Sequence, residues 1–283
     1  TASTLSDRDT YPTLSRTVIN DAVLAANVIR SIFSMGWTRI AILHVNDAWG
    51  RAFQSEAMNE ASLLGMQAVA FGFALADASA IERAVSQIAD SGVRITLFIA
   101  FEQDIAAVAA AADRHGLLAT GHAWIAANEF SIESVLLSSA EPARTVEQMS
   151  GWMTASMDAL QGDRRPRFQG ALDSTPIQYL NNNVFEGLML EAVITAEGCG
   201  EYCATMYDAV WAAAIAMSKM ELGADGSVDK AALLSEIREA SFQGASGQVE
   251  FDRETGERSA AGQRLLIKNL RPTTETSLSQ LVT

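Results

Sequence analysis

The first half of the sequence alternates between helix-like and strand-like patterns of hydrophobic residues. From residue 21, apolar side chains recur at helical spacing and the pattern stops at Gly36. Residues 39–45 then form a nearly continuous apolar run, as in a parallel strand that is covered on both faces. The alternation continues, with strands predicted at residues 40–45, 68–73, 95–100 and 122–126 and helices at 51–64, 79–91 and 103–115. This order predicts a doubly wound parallel sheet.

The second half begins with an irregular polar stretch after residue 129. Its pattern predicts a strand at residues 148–155 and an arginine-bearing loop at 162–170. Further elements are predicted as helices at residues 172–196, 205–222 and 229–240 and a strand at 264–269. Glycines after residue 243 predict a turn, a short strand and a second turn, and the Thr/Ser-rich residues 271–283 are interpreted as a linker.

Composition narrows the class of protein. The chain has 283 residues, of which 49% are hydrophobic, so it can bury a large core. Its net charge of -14 argues against nucleic acid or an anionic membrane surface as a partner. No stretch reaches the roughly 18 apolar residues that a membrane span needs, so no membrane contact is expected from this segment. Because it starts at Thr1 without a methionine or a signal pattern, we interpret it as part of a longer product.

The sequence lacks the short motifs of common enzymes. Glycine-rich nucleotide and phosphate loops, a serine-nucleophile elbow and a His-Glu-x-x-His pair are all absent from it. His44, His115 and His122 are too scattered to gather a metal ion, so we expect no catalytic residue, no metal and no cofactor. Cys199 and Cys203 are either free thiols or a small disulfide loop in an oxidising compartment.

Two aromatic residues stand directly after predicted strands. Trp49 lies in the segment Asn46-Asp47-Ala48-Trp49-Gly50, and Phe101 follows the strand at residues 95–100. Open parallel sheets bind ligands at the carboxyl ends of their strands. An aromatic residue there either lies against a small ligand or packs in the core, and the pattern alone leaves both alternatives open.

Short motifs recur in a fixed order along the chain. Residues 5–12 read Leu-Ser-Asp-Arg-Asp-Thr-Tyr-Pro, followed by Ser-Arg-Thr at 15–17, Gly-Trp at 36–37 and Asp-Ala-Trp-Gly at 47–50. Later motifs are Tyr-Asp-Ala-Val-Trp at 207–211, Phe-Gln-Gly-Ala-Ser-Gly at 242–247, Phe-Asp at 251–252 and Gly-Glu-Arg at 256–258. Together they resemble the receptor ligand-binding region that natriuretic-peptide, metabotropic glutamate and GABA-B receptors share.

The resemblance implies an α/β fold of the type I periplasmic-binding-protein kind. That fold has two doubly wound parallel-sheet lobes, joined by three crossings, that close around a ligand. Its first lobe would be incomplete here, because a hundred or more family residues would precede Thr1. The implied divisions are the end of lobe I with the first crossing at 1–20, lobe II at 21–127, part of lobe I at 128–243, the third crossing with C-terminal strands at 244–270 and a linker at 271–283.

The resemblance also implies four ligand-binding residues. In members that bind amino acids, the position of Trp49 is an aromatic over the ligand, and the positions of Asp21 and Asn128 help to hold its ammonium group. Asp21 keeps the carboxylate, although it also suits a plain helix N-cap. Asn128 departs from the pattern because it is a neutral amide. Phe101 matches an aromatic that contacts the ligand in GABA-B-like members.

These expectations lead to a sensor rather than an enzyme. The leading hypothesis is the extracellular ligand-binding domain of a membrane receptor, most like GABA-B or a related G-protein-coupled receptor. It would sense a small amino-acid-like ligand by lobe closure, and a receptor dimer is compatible with this hypothesis. The alternative is a bacterial periplasmic solute-binding protein that delivers amino acids or amides to an ABC transporter. The chain has no Asn-x-Ser/Thr acceptor for N-glycosylation, which is mildly unfavourable to an animal receptor surface.

Overall fold

The computed structural model of the chain describes residues 3–157, 162–174, 200–221, 223–260, 265–274 and 277–282. Its Cα positions divide into two compact units. Unit 1 comprises Thr1–Asn20 and Met157–Arg264, and unit 2 comprises Asp21–Ser156 and Leu265–Thr283.

Unit 2 alternates strands and helices from its first residue. Its strands are β1 (Arg39–Val45), β2 (Gln67–Phe73), β3 (Ile95–Ile99), β4 (Ala123–Ala126), β5 (Met153–Met157), β8 (Leu265–Thr274) and β9 (Ser277–Val282). Its helices are α1 (Asp21–Ser34), α2 (Ala48–Leu63), α3 (Ala78–Ser91), α4 (Glu102–Arg114), α5 (Ile132–Ser138) and α6 (Pro142–Met149).

These strands form one mostly parallel sheet with the order β2-β1-β3-β4-β5-β8-β9. Strand β1 pairs in parallel with β2 and β3, and the parallel pairing continues through β4 to β5. Strands β8 and β9 form an antiparallel pair at one end. The four strands predicted from the first half of the sequence are therefore confirmed as parallel neighbours, as is the periplasmic-binding-protein-like fold class.

Helices cover this sheet on both faces, which explains the unbroken apolar runs of its strands. In β1 every residue after Arg39 is buried. Because successive side chains point to opposite faces, Leu43 and Val45 join the core formed with α3 and α4, whereas Ile40 and Ile42 join the core formed with α1 and α2. The amphipathic helices and the strands buried on both faces thus specify the same arrangement, which is a sheet between two layers of helices.

The limits of unit 2 differ from the division expected at residue 127. The unit continues through α5, α6 and β5 to Ser156. Helix α6 begins with a proline, which suits the first turn of a helix, and it extends to Met149. The strand predicted at residues 148–155 therefore begins only at Met153. The residues interpreted as a linker, 271–283, include β9 and the end of β8. The buried side chain of Leu270 joins the core of the unit there.

Unit 1 contains the other elements. They are α7 (Arg165–Ser174), α8 (Gly200–Ser218), α9 (Lys230–Arg238) and the antiparallel pair β6 (Ser241–Gln243) and β7 (Gln248–Glu250). A small apolar cluster joins Ala212 of α8 to Ala240, Val249 and Phe251. The helix predicted at residues 172–196 lies mostly outside the described residues. Cys203 is disulfide-bonded, and Cys199 lies outside the described residues.

A buried polar network orders the segment at residues 244–247, which the resemblance identifies with the third crossing. The carboxylate of Asp208 accepts hydrogen bonds from the backbone N–H groups of Ala245 (2.7 Å) and Ser246 (2.8 Å). Arg258 donates to the carbonyl of Thr17 (2.7 Å) and to the hydroxyl of Ser246 (2.8 Å). Burial lowers the pKa of Arg258 to about 10, which leaves the guanidinium charged at neutral pH.

Among the described residues, no helix combines the length and the apolar character that crossing a membrane requires.

Candidate functional site

The candidate site lies at the carboxyl edge of the sheet in unit 2. Trp49 follows β1, Phe101 follows β3 and Asn128 follows β4, and these three strands are adjacent in the sheet. Because the strands are parallel, the loops after them emerge at one edge. The topology therefore places three of the four expected ligand-binding residues on that edge.

Local backbone chemistry fixes the position of Trp49. The carboxylate of Asp47 caps α2 by accepting a hydrogen bond from the N–H of Gly50 at 2.6 Å. A Cβ atom at residue 50 would stand 2.0 Å from the carbonyl oxygen of Val45, so only glycine fits this turn. Trp49 is held in the first turn of α2, half-buried, where it packs against the apolar residues of both faces of the sheet.

Trp49 and Phe101 form an aromatic pair. Their ring centroids are 5.0 Å apart and their planes are tilted by 43°. Phe101 is 39% exposed, although it directly follows a buried strand. Such a tilted pair is a favourable aromatic contact by itself, and it also presents flat apolar surface to solvent. Trp49 thus packs on the core and Phe101 is accessible to solvent, and the role of both toward a ligand stays a prediction.

Asp21 opens α1 and is only 4% exposed. Helix α1 packs on the sheet and its end leads through residues 35–38 into the start of β1, so its first residue lies toward the carboxyl ends of the strands. Its carboxylate is therefore on the expected edge of unit 2. Its role toward a ligand stays a prediction.

The side chain of Asn128 is hydrogen-bonded to the next residue in the chain. Its side-chain amide donates a hydrogen bond to the carbonyl of Glu129 at 3.0 Å. The carboxylate of Glu129 in turn forms an ion pair with Lys268 at 2.6 Å. The carboxylate next to Asn128 is thus neutralised within the unit, and the contribution of Asn128 to ligand binding stays a prediction.

Asp104 is a buried acidic residue close in sequence to Phe101 that the sequence analysis did not single out. It lies in the first turn of α4, three residues after Phe101, and is only 1% exposed. Its Oδ1 atom accepts a hydrogen bond from the N–H of Ala76, in the loop after β2, at 3.0 Å. Its Oδ2 atom is buried and has no hydrogen-bond partner among the described residues. Burial raises the pKa of this carboxyl group, and the hydrogen bond from Ala76 opposes that effect.

Little in the sequence singles out Asp104. Acidic residues are common in the first turn of a helix, where they interact favourably with the helix dipole. Only the packing of the loop after β2 over α4 turns this position into a buried one. Ala76 itself adopts the left-handed conformation, with φ of 56°, and is the one described residue other than glycine with positive φ.

His44 and His115 have contacts that are explained by the structure of unit 2 alone. His44 is buried in β1, where its Nδ1 atom is 3.1 Å from the carbonyl oxygen of Val45, and burial lowers its pKa. His115 pairs with Glu82 at 2.8 Å between α3 and α4. No group of three or more histidine, cysteine, aspartate or glutamate residues within the described part of the chain is arranged to hold a metal ion.

Comparison with known proteins gives two consistent matches. The family model described as the receptor family ligand binding region matches residues 1–262. The chain is also 21% identical, over 277 residues, to the metabotropic glutamate receptor-like protein E of Dictyostelium discoideum. That alignment covers 91% of this chain and 30% of the relative, so the chain spans less than a third of the length of the curated protein it matches.

Proposed function

Because the chain belongs to the receptor family ligand binding region, we propose that it is the extracellular ligand-binding domain of a membrane receptor. The proposed receptor is of the G-protein-coupled type, most like GABA-B receptors, and its ligand is a small amino-acid-like molecule. The name of the Dictyostelium relative, a metabotropic glutamate receptor-like protein, supports a receptor of this kind. In this proposal the domain binds and signals but performs no chemistry.

One structural observation supports a ligand site most directly. It is the pair formed by Trp49 and the exposed Phe101, 5.0 Å apart, on the edge where loops after parallel strands converge. A small molecule with an apolar body would cover these rings, and the adjacent carboxylates would orient its amine. Closure of two lobes around the ligand, and pairing of receptors as dimers, stay predictions of the family resemblance.

A bacterial solute-binding protein remains the second candidate. The lack of any Asn-x-Ser/Thr acceptor in the 283 residues is mildly unfavourable to an animal receptor surface and is neutral for this alternative. Such a protein would use the same edge and the same aromatic pair, and it would release its ligand to a transporter instead of signalling. Expression of the full-length gene product with a C-terminal tag, combined with surface labelling of intact cells, separates a membrane-anchored receptor from a free binding protein.

The ligand site is tested by titration calorimetry of the ectodomain against a panel of amino acids and amines. We expect Trp49→Ala to weaken binding of the cognate molecule by about 1 to 3 kcal/mol, the usual effect of removing a central aromatic contact. Phe33→Ala is the matched control, because Phe33 is also exposed (40%) but lies at the other end of α1. Equal affinity of Trp49→Ala and the wild type would remove Trp49 from the site.

A further inference from the structure

The carboxyl edge of unit 2 has an asymmetric distribution of charge. Its acidic side chains stand in the loops after the strands, at the starts of the helices that follow, or at the start of α1: Asp21, Asp47, Asp77, Glu102, Asp104, Glu129 and Glu133. Among the described residues of the loops after β1 to β4 and of the first helical turns there, the basic side chain is Arg51, which donates to the carbonyl of Asn46 at 3.1 Å. Lys268 of β8 is paired with Glu129. The edge therefore has an excess of negative charge.

Most of these carboxylates have a structural task. Asp47 and Asp77 cap α2 and α3 through the N–H groups of Gly50 and Ala80. Glu102 accepts a short hydrogen bond, 2.6 Å, from the N–H of Ser131. Capping and loop contacts thus explain these acids without any ligand.

Asp104 is not explained in this way. A buried carboxylate normally accepts several hydrogen bonds, because an ionised group is costly to remove from water. Here one oxygen accepts a single bond from Ala76 and the other has none within the described residues. That carboxyl group joins the loop after β2 to the first turn of α4, whose N-cap residue is Phe101. A buried carboxylate oxygen without a hydrogen-bond partner calls for a specific explanation.

The aromatic pair, like the acidic side chains, favours a positively charged ligand. The faces of Trp and Phe rings carry negative electrostatic potential, so they attract an ammonium group placed within about 6 Å of a ring centroid. A ligand carboxylate on this edge would instead meet aromatic faces and the carboxylate of Asp104. Both observations therefore disfavour an anionic group here.

We propose that this edge selects an organic ammonium ion that carries no carboxylate, and that Asp104 is the carboxylate that confers this selectivity. The inference rests on the proposed ligand-binding function and specifies the ligand class for the same site. The ammonium group lies against the faces of Trp49 and Phe101, and the charge of Asp104 acts on it at short range in a poorly screened environment.

The test compares each amino acid with the amine that remains when its carboxylate is removed. The pairs are phenylalanine and phenethylamine, tyrosine and tyramine, and histidine and histamine, each titrated calorimetrically into the wild-type ectodomain. We expect the amine of the best-binding pair to bind at least about tenfold more tightly than its amino acid. A neutral analogue, 2-phenylethanol in place of phenethylamine, should bind more weakly than the amine.

Asp104→Asn tests the residue, since an asparagine side-chain oxygen can still accept the hydrogen bond from Ala76. We expect it to lower the affinity for the amine roughly tenfold while changing that for 2-phenylethanol little. Asp90→Asn is the matched control, because it removes the same charge at the exposed far end of α3. If Asp104→Asn does not fold, the comparison of phenethylamine with 2-phenylethanol on the wild type decides about the ligand charge.

The outcomes separate this inference from the proposed function. Tighter binding of the amino acid than of its amine, or an unchanged preference in Asp104→Asn, would overturn the inference and leave a ligand-binding domain. Binding of no member of either series, with a correctly folded ectodomain, would contradict the proposed amino-acid-like ligand as well.

Discussion

Two buried aspartates, Asp208 in unit 1 and Asp104 in unit 2, have different tasks because of partners far away along the chain. Asp208 is fully buried and holds the backbone of residues 245 and 246 through hydrogen bonds to both of its oxygens. Asp104 is equally inaccessible, but one of its oxygens lacks a partner among the described residues. An aspartate side chain therefore stabilises a turn in unit 1, whereas in unit 2 it keeps one oxygen without a hydrogen-bond partner among the described residues.

One prediction at this scale concerns Glu257 in unit 1. Arg16 donates to both oxygens of this carboxylate at 2.6 and 2.7 Å, and Arg8 adds a third contact at 3.1 Å. Burial alone would raise the pKa of Glu257, but these partners hold it below its ordinary value of 4.5. A lowered carboxyl pKa means that its stabilisation is present above about pH 4.5 and is lost as the pH falls through the lowered pKa.

We therefore expect Glu257→Gln to destabilise the protein by about 1 to 3 kcal/mol at pH 7, and we expect this difference to shrink as the pH falls below 4.5 and through the lowered pKa of Glu257. Urea unfolding of both proteins across that range measures the difference. Glu250→Gln serves as the control, because Glu250 is exposed and lies nearby in β7. A stability loss that stays constant with pH would show that the ion pair is not the source of the effect.

The residues of the candidate site differ in how far the sequence reveals them. Trp49 and Phe101 each directly follow a predicted strand, and parallel strands bring such positions to one edge, so their location was predictable. The 39% exposure of Phe101 was not, because it depends on how the loop after β2 packs beside it. Asp104 looks like an ordinary helix residue with apolar neighbours at helical spacing. Its burial comes from a contact with residue 76, which leaves no local signal.

At the scale of elements, the continuity of the hydrophobic pattern determined which elements were predictable. The parallel strands could be predicted because burial on both faces requires unbroken apolar runs, and their helices could be predicted from helical periodicity. The observed helix ends differ from the predicted ones where a capping residue determines the start. Helix α2, for example, was predicted to begin at residue 51 but begins at Ala48, directly after its N-cap Asp47. Strand β9 was missed because its Ser residues, and the Thr residues that precede it, suit a linker as well as a strand. Pairing with β8 decides between the two.

The connection from β1 to α2 offers a prediction about an element junction. Gly50→Ala would place a methyl group 2.0 Å from the carbonyl oxygen of Val45, so the start of α2 must shift. We expect a loss of about 2 kcal/mol or more of stability, as for other overpacked buried positions, together with weaker ligand binding through Trp49. Thermal unfolding and calorimetric titration measure the two effects.

The control is Gly170→Ala, since a Cβ atom at that position in α7 meets nothing within 4 Å. Replacing an exposed helical glycine by alanine should stabilise by about 0.5 to 1 kcal/mol. If Gly50→Ala behaved in the same way, the turn after β1 would be more tolerant than its geometry indicates.

For the whole molecule, net charge and unit organisation matter most. A charge of -14 raises the local concentration of cations and lowers that of anions near the surface, and salt screens this effect. Amine association should accordingly slow as ionic strength rises. The family could be inferred from ordered motifs, and so could the boundary after residue 20. The end of unit 2 at Ser156 could not, because the polar, irregular pattern after residue 129 suggests a new lobe, whereas α5, α6 and β5 continue the same unit.

The division into units also makes a further experiment possible. Unit 2 is formed by two chain segments, Asp21–Ser156 and Leu265–Thr283, whose strands β5 and β8 are neighbours in the sheet. A flexible linker of about ten Gly and Ser residues reaches roughly 17 Å, which is enough to join two neighbouring strands. Replacing Met157–Arg264 with such a linker would keep both layers of helices over the sheet.

We expect this shortened protein, which starts at Asp21, to fold cooperatively, because the sheet and both of its apolar cores lie wholly within unit 2. It should also retain weak binding of the amine that the ectodomain prefers, since Trp49, Phe101 and Asp104 all belong to it. Circular dichroism melting and calorimetric titration test the two points, with Asp104→Asn in the same shortened protein as the control. A protein that melts without a cooperative transition would show that unit 2 depends on unit 1 for stability. A cooperatively folded protein without any amine binding would instead assign the essential ligand contacts to residues outside unit 2.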